Sequence, residues 1–515
     1  MTPGEAALHV VSGASLPTIL TTNRPLRDLS VDAVAALVAA NDPPRLFLRS
    51  GSLVRVEVHD SGLMTIVRMG EDHLRGHLTR AADFMAETKS GQRHTVPSTP
   101  LVRDLLSSGE FPFPPLKGVI SSPVVRPDGS ILATEGYDPG TQLYYLARPG
   151  FQLPTVPDTP SAQDLAAAVN VLREVFANFP FEDAASRAHA FALLLTPVCR
   201  PMIAGSTPLA AVTAPQAGTG KGLLVEVASL IATGSTAAVS TAPRSEEEMR
   251  KRITTVLSGG QPVILFDNVE MPLASSSLAA AITAAVWQDR LLGHNSKVEV
   301  PVLVTWAATG NNLKLGGDLP RRCYWICLDA QMARPWKRSQ FIHPNLVGYV
   351  QTQRAALLTA LLTLIRAWVA DGQPPPPPTF LGSFDGWARV VGGVLGTAGI
   401  EGFLANQDAM YEGADLETTE WHVFLRALCD AFPDRAFTAA EAAQAARAND
   451  ALGVALREAM PSAFADAQSD RWSRLLGNAF QQRERRPYGD DGLRVLRVGT
   501  SHRALRWKVT AERGE

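Results

Sequence analysis

The sequence predicts an α/β protein, with a parallel-sheet core between an N-terminal α+β domain and a C-terminal domain of short helices and two strands. Three observations lead there. Between residues 209 and 329, apolar strand-like runs alternate with helical ones, and strands separated by helices pair in parallel. The first of those runs breaks into a glycine-rich turn with a lysine opening the next helix, Gly218-Thr219-Gly220-Lys221. Beyond residue 421, short helical patterns give way to two strand-like runs, 493–498 and 504–510, joined by a turn. At 515 residues the chain exceeds a single core and has room for about three domains.

Residues 1–155 form the α+β part. Short β-like runs at 46–49 and 53–58 alternate with helical patterns at 31–40 and 71–85. Pro127-Asp128-Gly129 and Asp138-Pro139-Gly140 bracket apolar runs and read as hairpin corners. Acidic residues here invite comparison with a primase metal site, but Asp128 and Asp138 belong to turn chemistry and no primase motif is visible. The proline-dense stretch 149–160 is a linker. It leads into helices at 161–176 and 184–195, a helical prelude to the core domain, 161–372. The core then reads strand 209–214, helix 221–232, strand 237–241, helix 245–257, strand 262–268, helix 275–286, hairpin 291–300, and strands 302–312 and 323–329. In such a sheet the ligand lies at the carboxyl ends of the strands. A helix at 346–370 stops at Asp371-Gly372 before the rigid run 374–378. Residues 379–406, glycine-rich, make a small helical lid or connector. Acidic residues 407–420 mark the next boundary. The last domain, 421–515, has helices at 421–431, 438–448, 451–460 and 470–482 before its hairpin, the order of a winged helix.

Charge is balanced overall, 48 Lys and Arg against 50 Asp and Glu. It is not balanced along the chain. Residues 471–513 hold eleven basic residues, among them Arg483, Arg485 and Arg486, against four acidic ones, the footprint of a surface that meets DNA phosphates. The four cysteines are scattered and suit a reducing compartment. Cys323 and Cys327 share a face of one strand about 13 Å apart, too far for a disulfide or a common metal, so they read as core. No window of 18 uninterrupted apolar residues occurs and the N-terminus shows no signal pattern, so a cytoplasmic protein without membrane contact is expected.

The glycine-rich turn carries the chemistry. Backbone N–H groups of such a turn, with the positive end of the helix behind it, cradle the β and γ phosphates of a nucleotide, and the lysine neutralises their charge. Gln216, Ala217, Gly218, Thr219, Gly220, Lys221, Gly222 and Leu223 make up that cradle. Two positions depart from the Walker A pattern: Pro215 replaces the first glycine, and Gly222 stands where Ser or Thr would offer Mg²⁺ a hydroxyl. Water can replace one protein ligand of Mg²⁺ if a carboxylate remains. Asp267, at the end of the strand Val263-Ile264-Leu265-Phe266, supplies it. Asn311 and Asn312 end the next strand, and Arg321-Arg322 precede the last.

Gly218-Thr219-Gly220-Lys221-Gly222-Leu223-Leu224, Phe266-Asp267-Asn268-Val269-Glu270, Thr309-Gly310-Asn311-Asn312-Leu313 and Gly317-Asp318-Leu319-Pro320-Arg321-Arg322 together resemble the AAA+ replicative helicases of phages, plasmids and integrative elements, related to superfamily 3 and minichromosome-maintenance-type helicases. The resemblance covers most of residues 200–510. It implies an AAA+ P-loop core in a homo-hexameric ring that uses ATP and Mg²⁺ to unwind DNA, single- and double-stranded DNA as partners, and a separate primase. Under it Lys221 contacts phosphate, Asp267 holds Mg²⁺ through water, and Asn311, or else Asn312, senses the γ phosphate. Asn268 replaces the usual Walker B glutamate, and Glu270 is the nearest carboxylate that could orient the attacking water. Arg321 and Arg322 stand where AAA+ rings place the finger that reaches the neighbouring subunit. The segment 290–300 is the hairpin that such rings push into their channel, with His294 and Lys297 as its phosphate-tracking residues. Two other functions stay open: an ATP-binding, DNA-binding initiator without turnover, and an AAA+ motor acting on protein.

Overall fold

The computed structural model describes residues 16–59, 64–108, 111–243, 245–290, 297–377, 381–408, 416–461, 464, 468–489, 491–501 and 504–511. They divide into one unit of residues 1–270, 275–312 and 322–406 and another of 271–274, 313–321 and 407–515.

At the centre of the first unit lie five parallel strands, β1 (Leu209–Ala214), β2 (Ala238–Ser240), β3 (Val263–Phe266), β4 (Thr305–Asn311) and β5 (Cys323–Cys327). Their order is β2-β3-β4-β1-β5. The residues of β3 and β5 are buried throughout, as in a parallel sheet covered on both faces. Helix α1 (Lys221–Thr233) carries the chain from β1 across two strand positions to β2. Helix α2 (Glu246–Gly259) joins β2 to β3; Ser245 caps it by accepting the Glu248 amide, and Glu246, Glu247 and Glu248 lie in its first turn. Helix α3 (Ser276–Thr283) follows β3. Strand β4 then inserts beside β1, and β5 closes β1's other edge. Connections thus leave β1 and β4 in opposite directions. Their carboxyl ends form a switch point, where a parallel sheet opens a crevice for a ligand.

The α/β expectation agrees with this sheet, and two boundaries do not. The helix expected over 275–286 ends at Thr283, and Val286–Arg290 pairs antiparallel with Lys297–Pro301. The run Ala284-Ala285-Val286-Trp287 suits helix or strand by periodicity; packing decides, because Trp287 is buried and its Nε1 donates to Thr254 Oγ1 on α2 at 2.8 Å. The helix expected over 71–85 ends at Ala81, and Asp83–Thr88 becomes a strand pairing with Thr18–Leu20 in parallel.

In the N-terminal part, helices Leu26–Ala39, Glu71–Ala81 and Thr99–Ser108 close over a core that includes Leu37, Leu74, Leu78 and Phe84. Asp128 and Asp138 are consumed by turns: the first accepts from the Ser130 amide and hydroxyl, the second from Thr141 and Arg126. Helix Ala162–Phe176 starts from a Ser161–Asp164 capping box and packs on Leu346–Ala370. That 25-residue helix is long and apolar enough to cross a membrane by length and composition, yet Leu357, Leu361, Leu364, Ile365 and Trp368 are buried within the unit. Cys323 and Cys327 are buried, and burial pushes both thiols up, Cys327 to about 12.

The second unit holds helices Leu416–Ala431, Ala439–Arg447, Ala451–Glu458 and Trp472–Gln482, and a sheet in which Ala504–Thr510 lies between Phe437–Thr438 and Arg494–Ser501. Trp421, Phe424, Phe437, Leu476, Phe480 and Trp507 fill its core.

Candidate functional site

The turn after β1 reaches α1 through two residues in the left-handed region, Gly218 (φ 78°) and Gly220 (φ 99°). A side chain at Gly218 would meet the Trp336 backbone at 3.0 Å, and one at Gly220 would meet the Phe179 ring at 3.2 Å. Only glycine fits either place. Gly220 is also the N-cap of α1 and offers no side chain to its first amides, which leaves the positive end of the helix facing the crevice.

Lys221 bends back over the turn. Its Nζ donates to Asn311 Oδ1 at 2.7 Å and to Gln216 O at 3.2 Å, with Thr219 Oγ1 at 3.4 Å. Half-burial holds the ammonium pKa below the ordinary lysine value, and the Asp267 charge opposes that shift. The register explains the meeting with Asn311, since β1 and β4 are neighbours and Ala214 pairs with Asn311 at their carboxyl ends. Asn312, at φ 44°, turns away and uses its amide on Ala214 O at 2.9 Å.

Asp267 follows β3 and is held from two sides. Its amide donates to Ser240 O at 2.9 Å, and Thr309 Oγ1 donates to its Oδ1 at 2.5 Å. Thr309 is buried and also accepts from the Asn268 amide at 3.0 Å. A Cβ added at Gly222 would lie 3.7 Å from Asp267 Oδ1, so the missing Walker hydroxyl leaves a gap between α1 and that carboxylate. Such a gap with one carboxylate beside a phosphate cradle fits Mg²⁺, which keeps several waters and takes one or two carboxylates. Asn268 sits at φ 50°, and its Nδ2 donates to Glu270 Oε1 at 3.0 Å on the exposed surface.

Three residues that the sequence reading did not single out lie at this crevice. Thr309 was accessible, because period two places it on the same face as Asn311. Trp336 and Phe179 were not. They reach the turn because the segment after β5 folds back: Arg338 Nη2 donates to Asn178 O at 2.5 Å, and the Ile342 amide donates to Asn178 Oδ1 at 2.8 Å. Gln216, with its amide oriented by its neighbours, donates to Met332 O at 2.6 Å. Trp336 approaches the turn through its backbone and Cβ, and the residue remains 61 % exposed.

No family model matches this sequence, and neither does any curated protein. Among solved structures the chain is similar to the apo A form of the NrS-1 C-terminal region, at 12% identity and TM-score 0.39, over 92% of this chain and 97% of that one. It is also similar to the SCCmec type IV Cch active helicase, at 12% identity and TM-score 0.30 over 73% of each chain. A JCV helicase with a bound substituted acetamide is similar over 49% of this chain and 73% of that one, at 12% identity and TM-score 0.21. At this depth the likenesses leave the function to be argued from the residues themselves.

Arg322 Nη1 donates to Ala279 O and, at 2.7 Å, to Thr283 Oγ1, which ties it to the last turn of α3. Arg321, in the second unit, is exposed and its Nη2 donates to Asp318 Oδ1 at 2.6 Å. On the hairpin, Arg290 pairs with Lys297. Residues 291–296, His294 among them, and the Lys297 side chain lie outside the described residues. The hairpin is tied to α2, because Thr254 Oγ1 donates to Asp289 Oδ2 at 2.6 Å. In the second unit Arg483 stacks over Trp421 at 4.7 Å and Arg486 over Tyr488 at 5.1 Å, while Arg485 is exposed.

Proposed function

We propose that this chain is an ATP-dependent DNA helicase, an AAA+ motor that works as a homo-hexameric ring in replicating a mobile genetic element and carries a C-terminal winged helix. The observation that carries the reading is the convergence at the switch point. An uncapped helix N-terminus, Lys221, Asn311 and Asp267 meet where the strand order β2-β3-β4-β1-β5 opens its crevice. Glycines at 218 and 220 are needed for the turn that exposes the amides.

In this reading residues 216–223 hold the phosphates. Lys221 balances their charge and hands over its contact with Asn311 as the γ phosphate arrives, so that Asn311 senses it. Asp267, positioned by Thr309, would hold Mg²⁺ through water; the ion supplies charge neutralisation on the phosphates. Glu270, braced by Asn268, orients the attacking water. Trp336 and Phe179 flank the nucleotide base. Arg321 is the better candidate of the arginine pair for reaching a neighbouring subunit, since Arg322 is spent on α3. The hairpin tip with His294 and Lys297 tracks single-stranded DNA. Arg485 and Arg486, with the strands beyond them, meet duplex phosphates; Arg483 braces that surface against Trp421. A separate primase would then start synthesis on the unwound strand.

The departures at Gly222 and Asn268 favour one other reading, a protein that binds ATP and DNA without turnover. Steady-state ATP hydrolysis with and without single-stranded DNA, followed by unwinding of a forked duplex, separates the two. DNA-stimulated hydrolysis and unwinding, both lost in Lys221→Ala, are expected. ATP binding with no hydrolysis under any DNA condition would rule out the motor.

A further inference from the structure

A cavity of about 220 Å³ lies at the amino ends of the strands, the end away from Lys221. Pro262 and Val304, just before β3 and β4, line it, so the length of the strands, roughly 20 Å, separates it from Lys221. Its walls are apolar, with Val119, Ile120 and Leu143 from the N-terminal part and Leu257 and Leu303 from the core. Arg49, Lys117 and Arg200 line it too, and no Asp or Glu does among the described residues.

Arg49 is buried and Arg200 half-buried, and among the described residues neither has an acid in contact. Arg49 is 8 % exposed; its Nη atoms donate to Ser258 O at 2.8 Å and Leu257 O at 3.1 Å, and its Nε is buried with no acceptor. Arg200 donates to Ile203 O, Gly205 O and Val302 O, and its Nε is likewise buried with no acceptor. Capping accounts for part of this, since Arg49 closes the last turn of α2. It does not account for two guanidinium groups balanced only by carbonyl dipoles and facing one apolar space. Burial pulls both guanidinium groups down to about 10, with no neighbouring acid to oppose the shift. A buried charge with no partner is costly, and an anion that enters the cavity removes the cost.

We infer that this cavity is a binding site for a small amphipathic monocarboxylate, with its apolar body against Val119, Leu143 and Leu303 and its carboxylate served by Arg49, Arg200 and Lys117. The space exceeds the roughly 150 Å³ of an apolar cavity that takes up benzene, so a ring or a medium-length chain fits. A bare phosphate would leave the apolar wall uncovered. A neutral alcohol of the same length would leave the charges uncovered.

The test uses the full chain with octanoate, octanol and inorganic phosphate, read by thermal unfolding and titration calorimetry. Octanoate should raise the unfolding temperature and bind at least about tenfold more tightly than octanol, the worth of one charge-assisted hydrogen bond. Lys117→Gln, a change at an exposed position, should shrink that preference, and Arg200→Gln should shrink it further. Leu303→Trp, which fills the space, should remove octanoate binding and leave the fold intact. Equal effects of octanoate and octanol would overturn anion recognition, and a phosphate effect equal to that of octanoate would overturn the amphipathic ligand. Absence of octanoate binding at millimolar concentration, or binding that survives Leu303→Trp, would overturn the site. None of these readouts involves ATP, so the proposal stands or falls apart from the helicase reading.

Discussion

Lys221 meets Gln216, Thr219 and Asn311 in the structure, so its ammonium is already held where phosphate oxygens would compete for it. Lys221→Ala should therefore abolish ATP binding in a fluorescent-nucleotide titration; retained affinity would remove the phosphate cradle from the argument. Thr309 gives a finer test, because among the described residues its hydroxyl bonds to Asp267 and the Asn268 amide. Thr309→Val should keep ATP affinity and lower kcat by about 10- to 100-fold, the worth of a hydrogen bond to a carboxylate expressed in the transition state. Thr309→Ser should restore most of it. A KM effect with unchanged kcat would make Thr309 merely structural. Gly222 can be read the same way. Its φ is ordinary and an added Cβ stands 3.7 Å from Asp267, so Gly222→Ser should fold and gain a few tenths of a kcal/mol of helix stability, seen as a higher urea midpoint. At this scale the roles proposed for Lys221 and Asp267 rest on signals local in the sequence, a glycine-rich turn and the end of an apolar strand. The sequence could not show that Arg322 is consumed by α3, because that contact joins positions 43 apart along the chain.

Among the elements, those whose signal is local periodicity or a cap were legible. The helix Leu346–Ala370 stands where it was expected, with Asn345 as its cap. The hairpin Val286–Arg290 and Lys297–Pro301 was displaced in the reading, since the run before it is apolar enough for either period and only the contact of Trp287 with Thr254 settles it. That contact ties the hairpin to α2, whose C-terminal end leads into β3, the strand that ends at Asp267. The double change His294→Ala, Lys297→Ala should therefore spare basal hydrolysis and remove unwinding, with a shallower salt dependence of single-strand binding. Normal unwinding would reduce the hairpin to a surface turn.

His189 joins three elements that the sequence keeps apart: its own helix Ala184–Cys199, β5 through Trp325 O at 2.6 Å, and Leu404, whose amide donates to Nε2 at 2.9 Å. Nε2 accepts, so the proton sits on Nδ1 and the ring is neutral. Burial lowers its pKa to about 4, against the opposing bond to Trp325 O. The folded value lies below the unfolded one, so this stability is whole above about pH 6.5 and drains as pH falls toward 4. Roughly 2 kcal/mol should be lost between pH 7.5 and 5. Urea midpoints should show that slope, and His189→Gln should flatten it.

The whole molecule is a near-neutral chain whose parts differ in charge, and its assembly is where the ring proposal is exposed to test. Arg321 is 68% exposed at its side chain and pairs with Asp318 three residues away, a surface pair of little worth that an arriving phosphate could break. If Arg321 completes the site of a neighbouring subunit, each active site takes Lys221 from one chain and Arg321 from the next, a head-to-tail interface that closes into a ring. Lys221→Ala and Arg321→Ala chains should then each be inactive alone, the second while still binding ATP, because a finger of this kind is worth about 10³ to 10⁵ in rate. Mixed one to one and allowed to exchange, they should recover activity, since about a quarter of interfaces would join an intact Lys221 to an intact Arg321. Arg322→Ala mixed in the same way should show no such complementation and should instead lower the unfolding temperature, as expected of a residue bound to Thr283 and the end of α3. Complementation by Arg322→Ala and not by Arg321→Ala would reverse the assignment. Complementation by neither would leave each subunit with a self-contained site and count against the ring.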